Sequence, residues 1–293
     1  MSFPFEIVDV FTDRAMAGNQ LAVVTDARGL DGARMQAIAR EFNFAETSFI
    51  LPPQDPANSA QVRIFTPTEE MPFAGHPNVG TAYVAARMGS LFGRPMGDRL
   101  QFEEIAGLVV LDVLRADGGV TGARCRAPRS LSTGPEVPLS VLAELSGLSG
   151  QDFIVTSFRP CFASVGAEFI LAEVTRDALE RARPIEAAFA VHEGNVGQSA
   201  GFLSLHLHAW VDAGHLDVRM FAPLAGVSED PATGSAAAAL GAFLNSLDPA
   251  VTRLRMAQGR HIGRPSRIEV DAAPGEVWIG GSCAPFACGT LRA

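Results

Sequence analysis

The chain has 293 residues, 47% hydrophobic and 19% charged, enough apolar material for a large core in about two domains and the opposite of a disordered composition. A formal net charge of −9, with the arginines scattered, lacks the basic footprint that a nucleic-acid binder needs.

The opening Met1-Ser2-Phe3-Pro4-Phe5-Glu6 has no basic stretch leading into an apolar one, so no signal peptide is expected there. No run approaches the roughly 18 apolar residues of a spanning helix, and the apolar block 236–243 is short and alanine-rich. Cys125, Cys161, Cys283 and Cys288 show no CxxC spacing. They read as buried free thiols of a cytoplasmic protein, with no zinc site.

In chain order, residues 6–11 and 20–25 read as β-strands separated by the turn-prone Ala17-Gly18-Asn19. A helix is expected over 31–42, with Met35, Ile38, Ala39 and Phe42 on one face. Strands fit 46–51 and 61–65. After Gly75-His76-Pro77 a second helix runs to about residue 88, with Pro77 suited to its first turn. Short strands follow at 99–104, 107–114 and 122–126. The segment 129–138 lacks periodicity and reads as a link between domains. Beyond it come a helix at 139–148, strands at 152–158, 168–174 and 215–221, and a helix at 234–247. From residue 252 onward the chain again reads as strands and turns.

The two halves share a pattern. Phe65-Thr66-Pro67 precedes Gly75-His76 and a helix, while Phe221-Ala222-Pro223 precedes Gly234-Ser235 and a helix. Each half thus reads as strand, Phe-x-Pro turn, loop, glycine, polar residue, helix, which points to an ancient duplication.

A helix N-terminus offers unpaired N–H groups and the positive end of a dipole, and glycine there lets a ligand approach the backbone. Gly75 and Gly234 either hold a carboxylate or developing negative charge in this way, or merely shape turns with Thr233 and Ser235 capping the helix. Other motifs fail. The stretch from Gly75 to Thr81 lacks the lysine of a P-loop, no dinucleotide-binding glycine fingerprint follows a strand, and Ser235 lacks the second glycine of a nucleophile elbow. His206 and His208 share one face of a strand, but without a third ligand nearby they read as surface or barrel-packing residues rather than a metal site. Glu46, in Asn43-Phe44-Ala45-Glu46-Thr47, is either an exposed residue at a strand start or a base raised in pKa by partial desolvation. Asp230, in Ser228-Glu229-Asp230-Pro231, is not singled out by its turn-like setting alone.

Taken together, the run from Gly18 to Val24, Asn43-Phe44-Ala45-Glu46-Thr47, Phe65-Thr66-Pro67 and Pro72-Phe73-Ala74-Gly75-His76-Pro77 resemble the first half of the PhzF-like proteins of phenazine biosynthesis. The runs Asp230–Ala236 and Gln258–Ser266 match the second half of the same pattern, in order, so the resemblance covers nearly the whole chain. It implies an α+β, diaminopimelate-epimerase-like fold: two pseudo-symmetric domains, each a β-barrel-like sheet wrapped around a central helix. The expected division is 1–127, completed by 283–293, and 128–282. Epimerases of this fold carry a cysteine at each glycine loop, whereas here Ala74 and His76 flank Gly75, and Thr233 and Ser235 flank Gly234. The two-thiol mechanism is therefore not available.

The resemblance implies a cofactor-independent isomerase without a metal, a homodimer of the cytoplasm acting on a small carboxylate-bearing molecule, with no nucleic-acid or membrane partner. It assigns catalysis to Glu46, His76 and Asp230, with Glu46 as general acid/base. Asn19, Gly75, Pro77, Thr233, Gly234 and Ser235 are the expected substrate-binding residues. Alternatives are an epimerase, racemase or lyase on the same scaffold, with Asp230 as an opposite-face base, and a non-catalytic small-molecule-binding or regulatory protein.

Overall fold

In the computed structural model, which describes residues 2–197 and 201–292, the chain opens with β1 (Phe3–Val10), β2 (Asn19–Val24), α1 (Gly32–Phe42), β3 (Glu46–Leu51), β4 (Ala60–Phe65) and β5 (Glu70–Met71). Then come α2 (Gly75–Met88), a small hairpin of β6 (Ser90–Leu91) and β7 (Arg94–Pro95), β8 (Arg99–Glu104), β9 (Gly107–Ala116) and β10 (Gly119–Arg126). The later part holds β11 (Ser132–Glu136), α3 (Leu139–Ser146), β12 (Phe153–Ile154), β13 (Cys161–Ser164), β14 (Glu168–Val174), α4 (Arg176–Arg181) and α5 (Glu186–His192). It ends with β15 (Leu205–Asp212), β16 (His215–Ala222), β17 (Val227–Asp230), α6 (Gly234–Leu247), β18 (Arg253–Gln258), β19 (Ser266–Ala273) and β20 (Glu276–Leu291). Contacts divide the chain into two units, one running up to Pro128 and resuming at Ile279, the other spanning Arg129–Trp278.

In the first unit the strands close into a ring. β1 pairs antiparallel with β2, β2 parallel with β3, β3 antiparallel with β4, and β4 parallel with β8. β8, β9 and β10 continue antiparallel, and β20 joins β10 back to β1. Helix α2 fills the ring, buried without interruption from Gly75 to Ala86. Its small residues are what let the strands approach. A Cβ on Gly80 would lie 2.6 Å from Leu21 Cδ2 and 2.7 Å from Val10 Cγ2, closer than atoms pack. Helix α1 covers the outer face, burying Met35, Ile38 and Ala39 against Phe3, Val24, Phe49 and Phe65. Asp31 caps its start by accepting the Arg34 N–H, and left-handed Asn43 ends it.

The second unit repeats the scheme. β13 pairs antiparallel with β14, β14 parallel with β15, β15 antiparallel with β16, β16 parallel with β18, and β18 antiparallel with β19. That is the succession of β1, β2, β3, β4, β8 and β9. Even the short β5 on β4 has a counterpart in β17 on β16. The duplication suggested by the two Phe-x-Pro turns therefore extends to strand order and direction. Helix α6 is buried at Gly234 and from Ala236 through Gly241, and a Cβ on Gly241 would meet Val270 Cγ1 at 2.5 Å. Helices α3, α4 and α5 bury Leu142, Leu145, Leu179 and Phe189 against Ile170, Ala172, Leu205 and Leu207 on the outer face of the sheet.

Several expectations need correction. The segment 129–138 is not a bare link, because Ser132–Glu136 forms β11, an exposed strand paired antiparallel with β13. Its polar, proline-containing sequence hides an edge strand. Only Phe153–Ile154 of the expected strand 152–158 is extended. Ser149 and Asp152 form a capping box that winds Gly150–Asp152 into a 3-10 turn. Cys125, Cys161 and Cys283 are buried, but Cys288 is exposed. Of the two settings expected for His206 and His208, surface or barrel packing, the second holds: both are fully buried on β15. Among the described residues no helix is long and apolar enough to cross a membrane.

Candidate active site

The expected site residues fall into two clusters, one in each unit. In the first, left-handed Asn43 ends α1 and turns the chain into β3, whose first residue, Glu46, lies in register with Leu21 of the parallel β2. Phe44 stacks on Phe42 beside this turn, ring centroids 5.9 Å apart. Glu46 keeps 19% of its side chain exposed and places Oε2 3.5 Å from Nδ1 of His76, the second residue of α2.

His76 is only 5% exposed, and burial pushes its pKa down to about 3, with a hydrogen bond to the backbone of Gln20 opposing the shift. The imidazole is therefore neutral near pH 7. Its Nε2 is buried with no hydrogen-bond partner among the described residues. Gly18 is what brings Asn19 and Gln20 to this place: its φ is +63°, and a Cβ would meet the Val10 carbonyl oxygen at 2.3 Å. Asn19 is buried at the start of β2. Gly75 and Pro77 lie buried in the first turn of α2. Ala74 at the N-cap offers no side-chain cap, so the first-turn N–H groups of α2 are left for solvent or ligand.

The second cluster is built on the loop from Asp230 to Thr233. The Thr233 hydroxyl donates to Asp230 Oδ2 at 2.5 Å, and both residues are buried. With its hydroxyl so engaged, Thr233 does not cap α6, and the expected capping role falls away. Gly234 and the half-exposed Ser235 begin that helix.

Gln258, at the end of β18, fixes the loop. Its Nε2 donates to the Asp230 carbonyl at 2.8 Å and to Thr233 Oγ1 at 3.0 Å, while its Oε1 accepts the Thr233 N–H at 3.1 Å. Ser266 Oγ donates to the Pro231 carbonyl at 2.6 Å. Gly259 has φ +77°, and a Cβ there would stand 2.5 Å from the Pro231 oxygen. These three scaffold residues lie in the motif from Gln258 to Ser266. The sequence marked that run as shared with the PhzF-like pattern but gave its members no role.

Neither loop carries a cysteine, and the four thiols elsewhere in the chain are unpaired. Among the described residues no group of three or more His, Cys, Asp or Glu side chains is arranged to hold a metal ion. His206 and His208 are both neutral, held down to about 3 by burial, and His208 stacks on Phe158 with centroids 5.8 Å apart.

The family model for "Phenazine biosynthesis-like protein" matches residues 8–288. The trans-2,3-dihydro-3-hydroxyanthranilate isomerase of Pseudomonas aeruginosa is 36% identical, over 97% of this chain and 98% of its own length. A PhzF-family protein of Bacillus anthracis superposes with a TM-score of 0.87 at 26% identity, covering both chains completely. A hydroxyproline epimerase of Agrobacterium vitis shares the fold alone, with a TM-score of 0.64 at 14% identity over 99% of this chain and 92% of that one. The fold is thus the α+β, diaminopimelate-epimerase-like one, and the chain belongs to the phenazine biosynthesis-like (PhzF) family of isomerases.

Proposed function

We propose that this isomerase shifts a proton between carbons of a small carboxylate-bearing substrate, with Glu46 as the acid/base group. The observation that carries the reading is the pairing of Glu46 with His76. A carboxylate with partial solvent access stands 3.5 Å from a buried, neutral imidazole, at the mouth of the strand ring and at an uncapped helix start.

In the proposed step Glu46 removes a proton from a substrate carbon, and the electron pair of that C–H bond delocalises toward a neighbouring unsaturated group. The carboxyl, partly open to solvent and so able to exchange its proton with water, then protonates a second carbon; atoms and electrons balance with no oxidant or reductant. Neutral His76 offers one ring N–H and one ring nitrogen lone pair, enough to orient Glu46 and assist reprotonation. In the second unit, the uncapped first turn at Gly234 and Ser235 is suited on its own to an anion, since unpaired N–H groups favour a carboxylate or developing negative charge. Support for the substrate class comes from the similarity to an isomerase named for a dihydro-hydroxyanthranilate.

The test is incubation with trans-2,3-dihydro-3-hydroxyanthranilate in heavy water. The expected result is an isomerised product carrying carbon-bound deuterium. Deuterium entry with loss of optical activity and no bond shift would mean epimerisation instead. Full binding with neither exchange nor conversion would contradict catalysis.

A further inference from the structure

The two Phe-x-Pro turns share more than their sequence. In the first unit Arg63 stands two residues before Phe65, and its guanidinium carbon lies 5.1 Å from the centre of that ring. Its Nε and Nη2 each donate to one oxygen of Glu70, both at 2.6 Å. In the second unit Arg219 stands two residues before Phe221, with 5.0 Å from guanidinium carbon to ring centre. It forks Glu229 in the same way, Nε to Oε1 at 2.9 Å and Nη2 to Oε2 at 2.7 Å.

The glutamates lie on the short strands β5 and β17, and each precedes its glycine, Gly75 or Gly234, by five residues. Register agrees as well. Ile64 pairs with Met71, and Met220 pairs with Asp230, in either case the residue after the glutamate. The turns themselves differ in length, with five residues from Phe65 to Glu70 and eight from Phe221 to Glu229. All of the variation falls in the turn, while the fork and its spacing to the glycine stay the same.

Each arginine is also covered from outside the sheet. Helix α1 starts over Arg63, so that a Cβ on Gly32 would stand 3.1 Å from its Nη2. Helix α4 ends over Arg219, whose Nη1 donates to the carbonyls of Leu179 at 2.9 Å and Ala182 at 2.6 Å. Ion pairs withdrawn from water add little net stability over apolar packing. A planar two-point fork does fix distance and direction together. Beyond Glu70 the approach to α2 has a further tie, the Ala106 N–H donating to the Pro72 carbonyl at 3.0 Å. Beyond Glu229 comes Asp230 itself, in the loop that Gln258 holds.

We infer that Arg63 and Arg219 are positioning residues, a duplicated clamp that fixes the approach to each glycine loop and so sets where the first turns of α2 and α6 present their N–H groups and, in α2, the His76 ring. The inference rests on the reading that His76 takes part in the reaction, but part of its test needs no substrate.

Lysine keeps the charge and the apolar stem but cannot fork. The full chain is therefore compared as wild type, Arg63→Lys, Glu70→Gln, the double variant of these two, and Arg219→Lys. Arg28→Lys, which breaks an exposed fork to Asp26, is the control. The readouts are Tm, the backbone amide NMR signals of Gly75, His76, Gly234 and Ser235, and kcat and KM with trans-2,3-dihydro-3-hydroxyanthranilate. Arg63→Lys is expected to move the Gly75 and His76 signals. Its kcat falls at least about tenfold while KM changes less than about threefold, because a displaced group costs rate. The double variant is no slower than the worse single one, since all three break the same fork. Arg219→Lys moves the Gly234 and Ser235 signals; should it not fold, Glu229→Gln is read in its place, and the Arg63 series decides in either case. Arg28→Lys matches wild type. A lower Tm in Arg63→Lys with loop signals and kinetics unchanged, or losses that multiply in the double variant, would overturn the inference. Signals that move as described in a protein that turns nothing over would leave the clamp standing and count against the proposed function.

Discussion

His76 Nδ1 stands 3.5 Å from Glu46 Oε2. That is longer than the usual 2.7–3.2 Å of a hydrogen bond, so the two groups face each other without being locked together. Catalytic hydrogen bonds are often long outside the Michaelis complex and tighten within it. Because His76 is neutral, the pair is a carboxyl group beside an uncharged imidazole rather than an ion pair.

Replacing the imidazole should therefore cost rate more than affinity. In His76→Ala, kcat is expected to fall about 10²-fold, the lower range for a positioned acid/base group, while KM changes only a few-fold. Steady-state kinetics decide this. A variant with unchanged kcat and a greatly raised KM would make His76 a binding residue only.

The Asp230 loop has its own test. Gln258→Leu removes three hydrogen bonds to Asp230 and Thr233 and leaves buried polar groups without partners, each costing about 1–3 kcal/mol. Both a lower Tm and a roughly tenfold weaker substrate affinity are expected, since about 1.4 kcal/mol of lost positioning is a factor of ten. If calorimetry shows the loss of stability while kinetics stay at wild-type values, the loop has no part in binding.

Much of this was readable in advance. The bounds of β3, β8, β14 and α6 follow from apolar pattern, glycine punctuation and the Phe-x-Pro turns. The part Gln258 plays was not readable, because its partners lie 25 to 28 residues away and only the β18–β19 hairpin delivers it. Helices α4 and α5, of six and seven residues, are too short for a helical period to show. The forks of Arg63 and Arg219 are equally silent in sequence. Glu70 and Glu229 look like solvated turn charges, and only the pairing of β5 with β4 and of β17 with β16 brings each to its arginine.

Stability should depend on acid in a way set by the buried histidines. The folded pKa values of His76, His206 and His208 are about 3, below the ordinary 6.5 that they regain on unfolding. Between those limits the unfolded chain binds more protons, so stability falls as pH drops from about 6.5 toward 3. The double variant His206→Leu, His208→Leu should show a shallower decline in Tm over pH 6.5 to 4 than wild type. Glu173, raised by burial and paired with His208 across β14 and β15, acts with the opposite sign and is unchanged in that comparison. Identical slopes would mean that the two imidazoles are not buried as neutral groups.

The most direct test of Glu46 is the exchange of substrate carbon-bound hydrogen with heavy water in Glu46→Gln, measured by mass spectrometry beside wild type. Glutamine keeps the shape and hydrogen bonding of the side chain but cannot take the proton. The account predicts near-native binding of substrate and a fall in exchange and turnover of at least about 10²-fold. Exchange at close to the wild-type rate in Glu46→Gln would contradict it and make Asp230 the base to test next.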